Sequence, residues 1–129
     1  MGALDCLAMN WMGVAVVASL FVLVFLLKRS GQVSSRAAAE YLRAGALVLD
    51  VRSAGEFTAG HLPRAVNLPL SEIESAIGRK VMSKDQVVLL YCQSGARSGE
   101  ARRLLRGMGY ERAFNLGSYR RAERILEGH

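Results

Sequence analysis

The sequence predicts an α/β domain with a mainly parallel central sheet, preceded by one transmembrane α-helix. Three observations support this fold class. Segments typical of strands alternate with segments typical of helices from residue 34 onward, a 22-residue stretch without a charged side chain runs from 6 to 27, and a cysteine directly follows the most apolar strand. Such alternation is typical of a parallel sheet covered by helices. About 100 residues remain outside the apolar stretch, enough for one small domain.

The stretch from 6 to 27 predicts a membrane anchor. Nineteen of its 22 residues are apolar, and a helix of that length rises about 33 Å, against roughly 30 Å for a hydrocarbon core. A cleaved secretory signal would need a basic start, a shorter apolar run and a cleavage site, and a buried core helix is the third interpretation. We therefore expect a tail at 1–5, an uncleaved transmembrane helix at 6–27 and a linker at 28–33.

The charge distribution predicts an orientation for this anchor. The net charge is +6, and all 17 Lys and Arg residues lie at or after Lys28. The positive-inside rule therefore predicts a single-pass membrane protein with its N-terminus outside and its domain cytoplasmic. Membrane lipid is an expected partner, and the apolar helix is a candidate dimer contact. Nucleic acid is not an expected partner, because basic and aromatic residues are not interleaved. Cys6 and Cys92 are expected to form no intramolecular disulfide.

The elements of the domain, predicted at 34–127, follow from caps and apolar patterns. Ser34 or Ser35 is a typical N-cap for a helix that ends at Arg43, and the apolar run 46–49, ending in Asp50, is typical of a buried parallel strand. The strand at 86–91 is the most apolar, and the helix at 98–108 has one apolar face. The remaining elements are a helical turn at 53–58, a strand at 65–67, a short helix at 71–77, a strand at 112–116 and a last helix at 119–126.

Cys92 is the strongest candidate for chemistry. It directly follows the strand at 86–91, and ligands of parallel sheets bind at the carboxyl ends of the strands. Gly95 permits a tight turn in which successive amides point inward, at the positive end of the next helix. These groups should lower the pKa of the thiol and favour the thiolate. The alternative, a buried cysteine that serves as a small apolar residue, does not explain the Gly and Arg that follow it.

The loop and several other segments carry a family resemblance. Cys92-x-x-Gly95-x-Arg97-Ser98 resembles the active-site loop of the rhodanese family of sulfurtransferases. The segments at 49–52, 56–63, 65–69, 104–110 and 115–117 are similar to other motifs of that family, in the same order and at familiar spacing, so that the resemblance covers about residues 33–127. It implies a rhodanese-like three-layer domain.

The resemblance also implies a chemistry. Cys92 would take a sulfane sulfur from a donor such as thiosulfate, become a persulfide, and pass the outer sulfur to a thiol or cyanide acceptor. Arg97 would bind an oxyanion, and the loop amides would stabilise the charged sulfur. Those amides belong to Gln93, Ser94, Gly95, Ala96 and Ser98. No metal or organic cofactor is expected.

Two other functions remain as alternatives. A tethered interaction module with little turnover is disfavoured by the intact Cys92 and Arg97. A phosphatase is disfavoured by loop length, because four residues separate Cys92 from Arg97, whereas the phosphatases that resemble this family use five.

Three further residues are assigned supporting roles. Asp50 and Arg52, at the end of a neighbouring strand, are expected to pair and brace the loop. His61 is expected to form a hydrogen bond within a turn rather than to titrate in the reaction. Arg64 and Ser118 stand where the family usually has glycine, the first as surface charge and the second beside the pocket.

Overall fold

The computed structural model describes residues 2–29 and 31–128, with side chains at 10–26 and 31–128. It divides into two compact units, 1–30 and 31–129. The first unit is a single helix, α1, which spans Gly2–Arg29. The residues predicted as a free tail, as far as they are described, are part of α1, and so are the first residues of the predicted linker. Residue 30 and the side chain of Cys6 lie outside the described part.

The prediction of a transmembrane helix is wrong. Among the described residues, no helix combines the length and the apolarity that crossing a bilayer requires. The predicted single-pass localisation, with the N-terminus outside and the domain cytoplasmic, is therefore corrected. Lipid contact and dimerisation through this helix are not supported.

The second unit has the predicted α/β architecture. Its strands are β1 (Leu47–Asp50), β2 (Ala65–Asn67), β3 (Val88–Tyr91) and β4 (Ala113–Gly117), and its helices are α2 (Ser35–Arg43), α3 (Ala54–Ala59), α4 (Ile73–Lys80), α5 (Ala96–Gly107) and α6 (Tyr119–Glu127), with a 3₁₀ turn at Leu70–Glu72 before α4. All pairings are parallel, in the order β2-β1-β3-β4. The predicted parallel sheet is confirmed.

Side chains on the two faces of the sheet build two separate cores. Leu49 and Leu90 point to the face that packs on α4 and α5, whereas Val48 and Leu89 point to the face that packs on α2 and α6. Both faces are buried, which explains why β1 and β3 are continuous apolar runs rather than alternating ones. The sheet between two helical layers is the predicted three-layer arrangement.

The register brings the ends of three strands to one edge. Asp50 pairs with Tyr91, and Tyr91 in turn pairs with Gly117 after a register shift between Leu90 and Tyr91. The residues that follow β1, β3 and β4 therefore lie side by side. Cys92 is the residue after β3, so the fold places it in the middle of this edge.

Arg64 has a backbone conformation that non-glycine residues rarely adopt. Its φ is 69°, the only positive value among the described non-glycine residues. The left-handed region costs an L-residue roughly 1–2 kcal/mol, and glycine pays no such penalty. Its guanidinium donates a hydrogen bond to the carbonyl oxygen of Leu42 at 3.3 Å. The backbone at this position, where the family usually has glycine, is therefore strained. The sequence had suggested only an added surface charge.

Candidate active site

Cys92 lies in the interior of the domain. Its exposed fraction is 0 %, and its backbone N–H donates to the carbonyl of Gly117 at 3.4 Å. The thiol is free. The cysteine is therefore held by β3, which precedes it in the chain, and by β4, which lies beside it.

Donors of the following loop converge on the sulfur. The backbone N–H of Gly95 lies 3.0 Å from Sγ, that of Ser98 lies 3.4 Å away, and the Ser98 hydroxyl lies 3.5 Å away. Burial raises the pKa of the Cys92 thiol, but the hydrogen bonds from the Ser98 hydroxyl and from the amides of Ser98, Gly95 and Ser94 outweigh that effect, so the net pKa is lowered. Hydrogen bonds to the charged form stabilise a thiolate.

Gly95 is required at its position for two reasons. Its φ is 93°, in the region that favours glycine. A Cβ atom would also lie 3.2 Å from the backbone of Gly117 and 3.3 Å from the nitrogen of Ser118. The tight turn predicted from this glycine is therefore present, and the end of β4 packs directly against it.

Asn115 holds this turn in place, a role that the sequence did not indicate. Its exposed fraction is 2 %. Its amide nitrogen donates to the Gly95 carbonyl at 3.2 Å, and its amide oxygen accepts from the Gly117 N–H at 2.8 Å. The side chain therefore links the cysteine loop to β4.

The other predicted loop residues have different contacts. The Gln93 carbonyl accepts a hydrogen bond from the N–H of Tyr119 at 3.3 Å. Ser94 forms a bridge with Ser118, and its hydroxyl accepts from the Ala96 N–H at 3.4 Å. Of the amides assigned to sulfur stabilisation, those of Gly95 and Ser98 have described bonds to Sγ, whereas the Ala96 N–H donates to the Ser94 hydroxyl.

Arg97 is paired with a carboxylate that sequence reasoning missed. Its Nη1 lies 2.7 Å from Oε1 of Glu56, and its Nη2 lies 3.0 Å from Oε2. Glu56 belongs to a motif quoted for the family resemblance, but a partner 41 residues away in the chain cannot be recognised from one sequence. The guanidinium lowers the pKa of Glu56 to about 2. Oxyanion binding by Arg97 stays a prediction, and its guanidinium already has Glu56 as a partner.

Asp50 and Arg52 form the expected pair. Nη2 of Arg52 lies 2.7 Å from Oδ2 of Asp50 and also donates to the Gly60 carbonyl at 2.7 Å. The side chains are 0 % and 6 % exposed, and the hydrogen bond that Arg52 donates to Asp50 raises the pKa of Arg52. The guanidinium also lies 4.9 Å from the ring centroid of Tyr119, which begins α6 beside the loop.

His61 lies in the turn after α3. Its Nδ1 is 2.9 Å from the Phe57 carbonyl, and its ring stacks on that of Phe57 with 3.8 Å between centroids. It is exposed. A hydrogen bond within a turn was expected for His61, and its Nδ1 has such a contact. None of these contacts reaches Cys92.

Ser118 has a structural role. Its hydroxyl accepts the Arg121 N–H at 3.2 Å and so caps α6. Serine is a favoured N-cap. The substitution of a usual glycine therefore stabilises the start of the helix that borders the cysteine loop.

Taken together, the fold and the loop define a class of protein: an α/β domain with a thiol held among amide donors at a strand-to-helix turn. A family model described as a rhodanese-like domain matches residues 26–121. The chain therefore belongs to the rhodanese-like domain family.

Individual relatives agree with this assignment. A thiosulfate sulfurtransferase from Escherichia coli is 36 % identical over 69 residues, 54 % of this chain and 66 % of that protein. A human thiosulfate:glutathione sulfurtransferase is 38 % identical over 88 residues, 58 % of this chain and 76 % of that protein. The match to the Escherichia coli protein thus covers slightly less than two thirds of that protein's length.

A solved structure gives the same result at the level of the fold. A human single-domain sulfurtransferase superposes with a TM-score of 0.62 at 32 % identity, covering 78 % of this chain and 98 % of that one. These relatives bear out the prediction of a rhodanese-type sulfurtransferase.

Proposed function

We propose that this protein moves a sulfane sulfur from a donor such as thiosulfate to a thiol or cyanide acceptor through a persulfide on Cys92. The observation that carries the proposal is the set of donors on Sγ, which are the amides of Gly95 and Ser98 and the Ser98 hydroxyl. The same donors that stabilise a thiolate can stabilise the negative outer sulfur of a persulfide.

The first step forms one bond and breaks one. The Cys92 thiolate attacks the outer sulfur of thiosulfate, an Sγ–S bond forms, the S–S bond of the donor breaks, and its electron pair leaves with sulfite. The enzyme then carries a persulfide anion, and the total charge is unchanged. In the second step cyanide or a thiolate attacks the outer sulfur, and the Cys92 thiolate is the leaving group. Neither step needs an external oxidant or reductant.

The relatives support the choice of substrates. Two of them are named for thiosulfate, and one is named for glutathione as well. Loop length supports sulfur transfer over phosphatase chemistry, because four residues separate Cys92 from Arg97, whereas the phosphatases that resemble this family use five.

Persulfide formation tests this proposal. The full chain is incubated with thiosulfate and examined by intact mass, and thiocyanate is measured after addition of cyanide. We expect a gain of one sulfur atom and turnover in the wild type, and neither in Cys92→Ser. Cys6→Ser is the matched control and should retain both. A wild-type protein that neither gains the sulfur nor forms thiocyanate would contradict the proposal and favour the interaction module.

A further inference from the structure

Two arginines near the cysteine loop have a carboxylate partner. Arg52 is paired with Asp50 and Arg97 with Glu56. The charge of each guanidinium is therefore largely offset before any substrate arrives. The described donors to Sγ are amides and a hydroxyl, which attract an anion through partial charges only.

Glu56 is held so that its charge stays beside Arg97. Its Oε1 accepts hydrogen bonds from the Ser53 hydroxyl at 3.1 Å and from the Ser53 N–H at 3.3 Å. These bonds and the reciprocal one from the Glu56 N–H form the capping box of α3. The carboxylate is therefore fixed by the start of a helix as well as by the guanidinium.

The pairing leaves part of the Arg97 fork available. Both contacts use the terminal nitrogens, one N–H from each, and a guanidinium has five N–H groups. The Arg97 and Glu56 side chains are 38 % and 37 % exposed, so solvent and solutes reach them. A donor anion that approaches Arg97 therefore also meets the negative charge of Glu56.

We propose that Glu56 is a specificity-determining residue that disfavours doubly charged sulfur donors relative to singly charged ones. This inference rests on the proposed sulfur transfer and deepens it by defining the donor class. Repulsion between one fixed charge and a donor is about twice as large for a dianion as for a monoanion. The effect belongs to donor binding, so it changes KM more than kcat.

Two donors of different charge separate this role from a structural one. Thiosulfate is a dianion, and benzenethiosulfonate is a monoanion that transfers the same sulfur and releases benzenesulfinate. KM and kcat are measured for both with the full-length protein, in wild type and Glu56→Gln. Gln retains the shape of the side chain and can still complete a capping box.

We expect Glu56→Gln to lower KM for thiosulfate by about threefold to tenfold, with a smaller decrease for benzenethiosulfonate. The difference should shrink at high salt, because exposed charges are screened. Glu56→Asp keeps the charge and should keep the wild-type ratio of the two KM values. Ser53→Ala is the matched control for α3, because it removes the cap and leaves the carboxylate.

The outcomes are distinguishable. A rise in KM for thiosulfate in Glu56→Gln, or an equal change for both donors, would overturn the inference, since Glu56 would then act by holding Arg97 or α3. Absence of turnover with either donor in wild type would instead overturn the proposed sulfur transfer itself.

Discussion

The two arginine–carboxylate pairs beside the cysteine loop have the same chemistry and opposite surroundings. Asp50 and Arg52 are separated by one residue at the end of β1 and are almost completely buried. Glu56 and Arg97 come from two different helices and are more than one third exposed. A buried pair is costly to break, because the remaining charge has no solvent, whereas an exposed pair contributes little to stability. We therefore expect the first pair to act as a brace, whereas the second can influence substrate binding.

Breaking the buried pair is expected to have the largest effect. Asp50→Asn leaves the Arg52 guanidinium buried without a counter-charge and should reduce the free energy of unfolding by about 3–5 kcal/mol. The measurement is urea unfolding followed by near-ultraviolet circular dichroism. Asp50→Asn combined with Arg52→Met should recover part of the loss, since it removes the uncompensated charge. A loss no larger than that of Glu56→Gln would contradict the difference between the two pairs.

A change at the sulfur tests whether hydrogen bonds set the reactivity of Cys92. Ser98→Ala removes a donor from the thiolate, so the pKa of Cys92 should rise and its alkylation at neutral pH should slow. The measurement is the iodoacetamide rate against pH in a Cys6→Ser background. Ser94→Ala is the matched control, because that hydroxyl accepts from Ala96. An unchanged profile in Ser98→Ala would show that the hydroxyl plays no part.

The exposed pair predicts an acid dependence. The pKa of Glu56 is lowered to about 2 from an ordinary 4.5, so the folded state binds its proton less readily than the unfolded state. The stability from this pair is therefore present above about pH 4.5 and is lost as the pH falls toward 2. Wild type should lose more stability across this window than Glu56→Gln, as measured by urea midpoints at each pH. If the urea midpoints of the two proteins decreased equally across this pH range, the ion pair would not contribute to stability.

Substitution of Arg64 is expected to have the smallest effect. The described partner of this side chain is a backbone carbonyl rather than a carboxylate. Arg64→Gly relieves the positive φ but increases the entropy of the unfolded chain and removes the bond to Leu42. We expect a net stabilisation of about 0.5 kcal/mol. Arg64→Ala is the control, because it removes the guanidinium without relieving the backbone, and it should be less stable than Arg64→Gly.

Whether a contact can be predicted from one sequence depends on how far apart the two residues lie in the chain. The pairing of Asp50 with Arg52 was predictable because both lie at the end of one strand, and the Cys92 loop was predictable because strand, glycine and helix are consecutive. The contacts of Glu56 with Arg97 and of Asn115 with Gly95 join segments that only the packing of α3 and β4 brings together. Such contacts have no local signal, so a single sequence could not reveal them.

The membrane prediction failed for a different reason. It rested only on the composition and length of the stretch from 6 to 27, whereas no helix in the described part of the chain is long and apolar enough to cross a membrane. The elements of the α/β unit were predicted more accurately, because a cap such as Ser34 and an apolar run such as 87–91 each specify a local conformation. The start of α5 was predicted two residues too late, since the helix begins directly after Gly95.

The contact between Gly95 and the end of β4 has a consequence for protein engineering. The space beside the Gly95 Cα is filled by the backbone of Gly117, 3.2 Å from where a Cβ would stand. A loop transplanted from another protein into positions 92–98 must therefore carry a glycine at its fourth position or bring its own version of residues 115–118. The cysteine loop and that short segment form one exchangeable module, although residues 99–114 separate them in the chain.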